Sequence, residues 1–149
     1  MKGTTTWILI ANGAKARIVE NTGVGKGIVP VDDLVFRESS ESASGIMADR
    51  AGRVHDSSGA RRHAMEYASD PVREREKHFA EMLTDVLESG RQLRKFDRLI
   101  VVAAPQARGD LRASLGSELK KQIHGEIAKD LTHVPNADLP RHLESMLAV

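Results

Sequence analysis

Two hydrophobic rhythms divide this chain, an early one suited to strands and a later one that mixes strands with helices. Thr4-Thr5-Thr6-Trp7-Ile8-Leu9-Ile10-Ala11 is β-branched and apolar without interruption, which predicts a buried strand. Asn12-Gly13 is a turn dipeptide, and Ala16-Arg17-Ile18-Val19-Glu20 reads as the returning strand of a hairpin. Asn21 to Gly27 is glycine-rich but lacks the GxxxxGK[ST] spacing of a phosphate loop, so a second hairpin turn is expected. Val29 to Arg37 then supplies a third strand, with Pro30 marking its edge or start.

From Glu38 to Ser69 neither a period of 2 nor one of 3.6 persists, and the composition turns to Ser, Gly, Ala and charge. Regular structure resumes at Asp70-Pro71, an N-cap followed by proline at the first helical position. Val72, Phe79, Met82, Leu83, Val86 and Leu87 follow at helical spacing, and Gly90 is the expected close. Leu99 to Ala104 is a continuous apolar run ended by Pro105, as in a strand covered on both faces. Arg108 to Leu115 predicts a short helix. Lys120 to Ala128 fits a helix or a strand, and a short helix through Lys121 followed by a strand is preferred. Asn136 is placed to cap a last helix with Leu139, Leu143, Met146 and Leu147 along one side. The order predicts one α/β domain over 1–149, with a mixed sheet of about five strands flanked by helices and a long basic loop before the main helix.

Composition narrows the possibilities. At 149 residues the chain can bury a real core, and without cysteine it has no disulfide framework, thiolate zinc site or cysteine nucleophile. The apolar run after Met1-Lys2 is too short for a signal peptide or a membrane span, so a soluble, cytoplasmic protein without a membrane partner is expected. A net charge of +1 does not by itself call for nucleic acid, and aromatic platforms for stacking bases are few.

Local clustering changes that picture. Arg50 to His63 holds Arg50, Arg53, Arg61 and Arg62 with His55 and His63, and Asp56 is its only acid. Gly52 and Gly59 let such a loop approach a partner closely, and guanidinium forks suit phosphate oxygens. Arg91, Arg94, Lys95 and Arg98 form a second cluster that would join the first if both share a face. The alternative is a solvated surface whose arginines pair with Asp56, Glu66 and Asp97.

Catalytic readings are weaker. His55, Asp56, Ser57 and His63 hold the residue types of a hydrolase, but no GxSxG elbow accompanies them. The six histidines show no HExxH or HxH spacing, so neither metal nor cofactor is expected. Asp97 and Asp130 could serve a two-metal nuclease, yet Asn12 at the end of the first strand is a poor magnesium ligand.

The hairpin Trp7 to Arg17, the loop residues Gly52-Arg53, Asp56-Ser57 and Arg62-His63-Ala64, and the later segments Phe96-Asp97-Arg98-Leu99, Ala104-Pro105, Gly109-Asp110-Leu111-Arg112 and Lys129-Asp130-Leu131-Thr132 together resemble the bacterial host attachment protein family. Its members are described as required for attachment to host cells. Asn12 stands where that family is expected to carry Asp. The family is in turn similar to the middle domain of archaeal and eukaryotic peptide release factors, where the loop before the long helix carries a Gly-Gly-Gln tripeptide that enters the peptidyl-transferase centre. Here that place is held by a loop without Gly-Gly-Gln, its nearest segments being Gly52-Arg53-Val54 and Ser58-Gly59-Ala60.

The resemblance implies an RNA- or ribosome-associated module, with ribosome or tRNA as partner, acting indirectly on attachment. Its binding residues would be Gly52, Arg53, His55, Asp56, Ser57, Gly59, Arg61, Arg62 and His63. A non-catalytic module with a protein partner is the alternative, and a peptidyl-tRNA ester hydrolase the second. No catalytic residue is assigned, and oligomeric state is left open.

Overall fold

The computed structural model describes residues 3–38 and 70–147. Five strands form one mixed sheet: β1 (Thr6–Ala11), β2 (Lys15–Asn21), β3 (Val29–Arg37), β4 (Arg98–Ala103) and β5 (Ile123–Ile127). Their spatial order is β3-β2-β1-β4-β5. The two hairpins make β1, β2 and β3 antiparallel, while β4 and β5 add parallel to β1 through helical connections. The expected α/β domain with a mixed five-stranded sheet is the observed one.

β1 is central, and every one of its side chains is buried. Alternation along it divides the core in two. Trp7, Leu9 and Ala11 face α1 (Pro71–Gln92) and α2 (Pro105–Ser114), joined by Ile18, Leu99 and Val101. Ile8 and Ile10 face the other way with Val19, Ile100 and Val102, and the C-terminal segment covers them with Leu131, Leu139, Leu143 and Leu147. Burying a Leu or Ile of this kind contributes roughly 1.5–3 kcal/mol.

α1 begins as its sequence predicts. Pro71 occupies the first turn, and the Asp70 side chain accepts hydrogen bonds from the Val72 and Arg73 amides. Its end differs from expectation, because Gly90 does not stop the helix. Gly90 is buried inside the last turn, where an added Cβ would lie 2.6 Å from the Trp7 ring. The glycine makes room for an indole, and helix continues to Gln92.

Two further boundaries move. α2 starts at Pro105 rather than near Arg108, since a proline that ends a strand can equally open a helix. The last predicted helix breaks into a 3-10 turn (Asn136–Asp138) and the short α4 (Pro140–Leu143). Asn136 caps neither; its Oδ1 accepts a hydrogen bond from Arg17 Nε at 2.8 Å. The ambiguous stretch resolves as preferred, into α3 (Ser117–Gln122) followed by β5. The glycine-rich turn between β2 and β3 is also as expected. Asn21 Nδ2 donates to the Gly23 and Gly27 carbonyls, and Gly25 and Gly27 take positive φ.

Candidate functional site

The loop residues singled out in the sequence, Gly52, Arg53, His55, Asp56, Ser57, Gly59, Arg61, Arg62 and His63, lie outside the described residues. Their two points of attachment are described, and both lie at the carboxyl end of β1. The Glu38 amide donates to the Ala14 carbonyl at 2.7 Å, just beyond that end. The first turns of α1 press on the same hairpin turn. A Cβ at Gly13 would stand 2.9 Å from the Glu76 side chain, so glycine lets that side chain approach without shifting. Arg75 pairs with Glu38 at 3.4 Å across the gap.

The hairpin turn is held by Asn12. Its Oδ1 accepts from the Ala14 and Lys15 amides at 2.8 Å each. Its Nδ2 donates to Asp130 Oδ2 at 3.0 Å and to Thr132 Oγ1 at 3.2 Å, which ties β1 to the segment after β5. Asp130 also accepts from the Thr132 amide and hydroxyl. Burial opposes its charge, but the hydrogen bonds from Thr132 and Asn12 outweigh it and hold the carboxyl below its ordinary value. An aspartate at position 12 could serve the turn amides but not Asp130. Asn is therefore the residue this cluster requires.

Beside the cluster lies a concentration of positive charge that the sequence reading did not single out. Lys15 and Arg37 stand directly opposite each other in the β2–β3 register. Cross-strand partners share a face, and like charges in that position repel. Among the described residues neither carries an ion pair. Two residues along the same face, Arg17 donates from Nε to Asn136 and through its terminal nitrogens to the carbonyls of Thr132 and Val134. All of these partners are neutral. Burial pushes the Arg17 guanidinium below its usual pKa, and no carboxylate offsets it. The three cations line a cavity of about 190 Å³ with Val35 and Thr132, and no acidic side chain among the described residues lines it. A small anionic group with several oxygens suits such a lining. The alternation of Lys15 and Arg17 with Ala16 and Ile18 was a visible signal for their shared face, but their meeting with Arg37 depends on register.

The second basic cluster is elsewhere. Arg98 opens β4 and its Nε donates to Thr6 Oγ1, at the amino end of β1. Arg91 is paired with Glu88 at 2.6 Å, and Arg94 follows the helix in a left-handed conformation at φ 56°. The length of α1, roughly 33 Å for its 22 residues, separates Asp70 from this cluster. The two attachment points of 39–69 and the second cluster thus sit at opposite ends of the sheet.

Asp97 and Asp130 are divided in the same way. Asp97 accepts from the Thr5 amide at the amino end, so the two carboxylates cannot share a metal. Among the described residues no three His, Asp or Glu side chains gather as metal ligands. No described helix is long and apolar enough to cross a membrane.

The fold is a single α/β domain with a polar, cation-rich carboxyl edge, and its sequence belongs to a defined family. The family described as "protein required for attachment to host cells" matches residues 7–143, from β1 to the last residue of α4, and the chain is a member of it. No curated protein matches the chain.

Proposed function

We propose that this host attachment family member is a cytoplasmic, non-catalytic module that binds RNA phosphates, on the ribosome or on tRNA, and influences attachment indirectly. The observation that carries this reading is the unmatched charge at the carboxyl edge. Lys15, Arg17 and Arg37 line one cavity without an acid among the described residues, and the basic segment containing Arg53, Arg61, Arg62 and His63 joins the sheet at Glu38, next to Arg37. Phosphate oxygens satisfy clustered guanidinium and ammonium groups that no protein carboxylate neutralises. Kinship with release-factor middle domains is part of the proposal. It is supported by the order of elements, in which a long segment precedes the main helix, and opposed by the lack of Gly-Gly-Gln.

Cosedimentation with ribosomes and binding to tRNA, each measured across a salt series, test the proposal. Changing Lys15 and Arg37 together to Ala lowers the salt slope by roughly one to two, since each phosphate contact to a single strand contributes about 0.7. Changing Arg61 and Arg62 to Ala weakens binding further. Unchanged binding in both double variants rejects the reading. Hydrolysis of peptidyl-tRNA by the purified protein would instead make it an ester hydrolase.

A further inference from the structure

A second surface, on the α1 side of the sheet, has a different chemistry. Between β3 and α1 runs an open groove of about 490 Å³, walled by Val31 and Leu34 on one side and by Met82 and Val86 on the other. Trp7 is part of its wall, and the buried indole N–H has no acceptor among the described residues.

A bulge in β3 builds this groove. Pairing with β2 jumps from Arg17↔Val35 to Val19↔Pro30, so Val31 to Leu34 stand opposite Ile18 alone. Asp33 takes a left-handed φ of 64° to complete the detour. Such bulges re-aim side chains at sheet edges. Here Val31 and Leu34 pack against the α1 core while remaining only partly buried. The bulge also interrupts the regular hydrogen-bonding edge, so strand addition along the whole of β3 is disfavoured.

The rim limits what can fill the groove. Asp32 on the bulge and Asp85 on α1 face it from opposite walls, while Lys95 beyond the end of the helix is the one cation among the described residues that line it. Asp32 and Asp85 are exposed and carry no ion pair among the described residues. From Met82 to Leu93 the wall spans roughly 16 Å at 1.5 Å per residue, about three helical turns.

We propose that this groove docks an amphipathic helical segment of a partner protein, its apolar side chains seated between Val31, Leu34, Met82 and Val86 and its flanking lysines or arginines against Asp32 and Asp85. Helix-in-groove recognition uses apolar anchors at i, i+3 or i+4, and i+7, which matches the length of the wall. Charge complementarity selects a basic partner over an acidic one. The surface is separate from the cation-lined cavity, and its test does not depend on RNA binding.

Trp7 is the only tryptophan in the chain, so its fluorescence reports occupancy of the groove directly. Two synthetic peptides of about 14 residues would share one apolar face and differ only in lysine or glutamate flanks. The lysine peptide shifts Trp7 emission saturably, and the glutamate peptide binds on the order of tenfold more weakly at low salt. In the Asp32→Lys, Asp85→Lys double variant the preference reverses, while an unchanged melting temperature shows that the fold is intact. Equal binding of both peptides, or no response of Trp7 to either, overturns the proposal. Concentration-dependent self-association that Val86→Arg abolishes overturns it in favour of a second copy of this chain.

Discussion

The two ends of the sheet are built from the same strands but solve their electrostatics differently. At the amino end, several polar groups meet matched partners, the Trp7 indole N–H of the groove excepted. The Asp97 carboxylate accepts from the Thr5 amide, Arg98 donates to Thr6, and Glu88 takes Arg91 and Gln92. Trp7 and Phe96 close that end with ring centroids 4.8 Å apart, and Gly90 lies against both. At the carboxyl end Asn12, Asp130 and Thr132 are well satisfied, but Lys15, Arg17 and Arg37 have no acid among the described residues. Arg17 is held by hydrogen bonds to neutral groups, but repulsion between Lys15 and Arg37 and the partial burial of Arg17 without a carboxylate count against stability. On the proposed reading, one end is organised for stability and the other for a ligand. At the first, Arg91 is paired with Glu88; at the second, Lys15, Arg17 and Arg37 meet no carboxylate among the described residues.

Substitutions at either end break or sharpen the contrast. Gly90→Ala has the largest expected effect on stability. Its Cβ would meet the rigid Trp7 and Phe96 rings, and overpacking of this sort costs about 1–3 kcal/mol, read as a lower urea midpoint. RNA affinity of the folded variant stays unchanged. Asn12→Asp follows, at about 1–2 kcal/mol near neutral pH, because the amide donors to Asp130 and Thr132 are replaced by a second carboxylate. One carboxyl of that pair has a folded pKa raised above its unfolded value, so the deficit is full at neutral pH. It shrinks as pH falls through the raised pKa, which unfolding at several pH values will show.

Lys15→Ala with Arg37→Ala inverts the pattern of Gly90→Ala. Stability changes within about 0.5 kcal/mol or rises slightly, while RNA binding weakens. Loss of stability without loss of binding would remove the distinction between the ends. The smallest expected effect belongs to Glu88. Hydrogen bonds from Arg91 and Gln92 lower its pKa to about 2, so its contribution is present at neutral pH and disappears as pH falls from the usual carboxylate range toward 2. Glu88→Gln removes that portion of the acid dependence, measured as a flatter stability curve between those pH values.

Much of this architecture was legible in the chain. The unbroken apolar runs of β1 and β4 marked the interior of the sheet, and Asp70-Pro71 marked the start of α1, because capping and periodicity act between near neighbours. The boundaries that moved all depended on distant groups. Gly90 looked like a helix stop until Trp7, far away in sequence, was found against it. Asn136 looked like a cap until Arg17 claimed its oxygen.

The site divides along the same line. Sequence alone determined that the chain is one α/β domain, that a basic segment lies between its third strand and main helix, and that it resembles the family to which it belongs. Only the tertiary structure decided that both attachment points of that segment reach the carboxyl edge, that the second basic cluster sits at the opposite edge, and that Lys15 faces Arg37 beside a half-buried arginine. Local pattern records each residue's preference for strand, helix or turn. Which charges meet is set by strand register and by a bulge, and these emerge only when distant segments pack together.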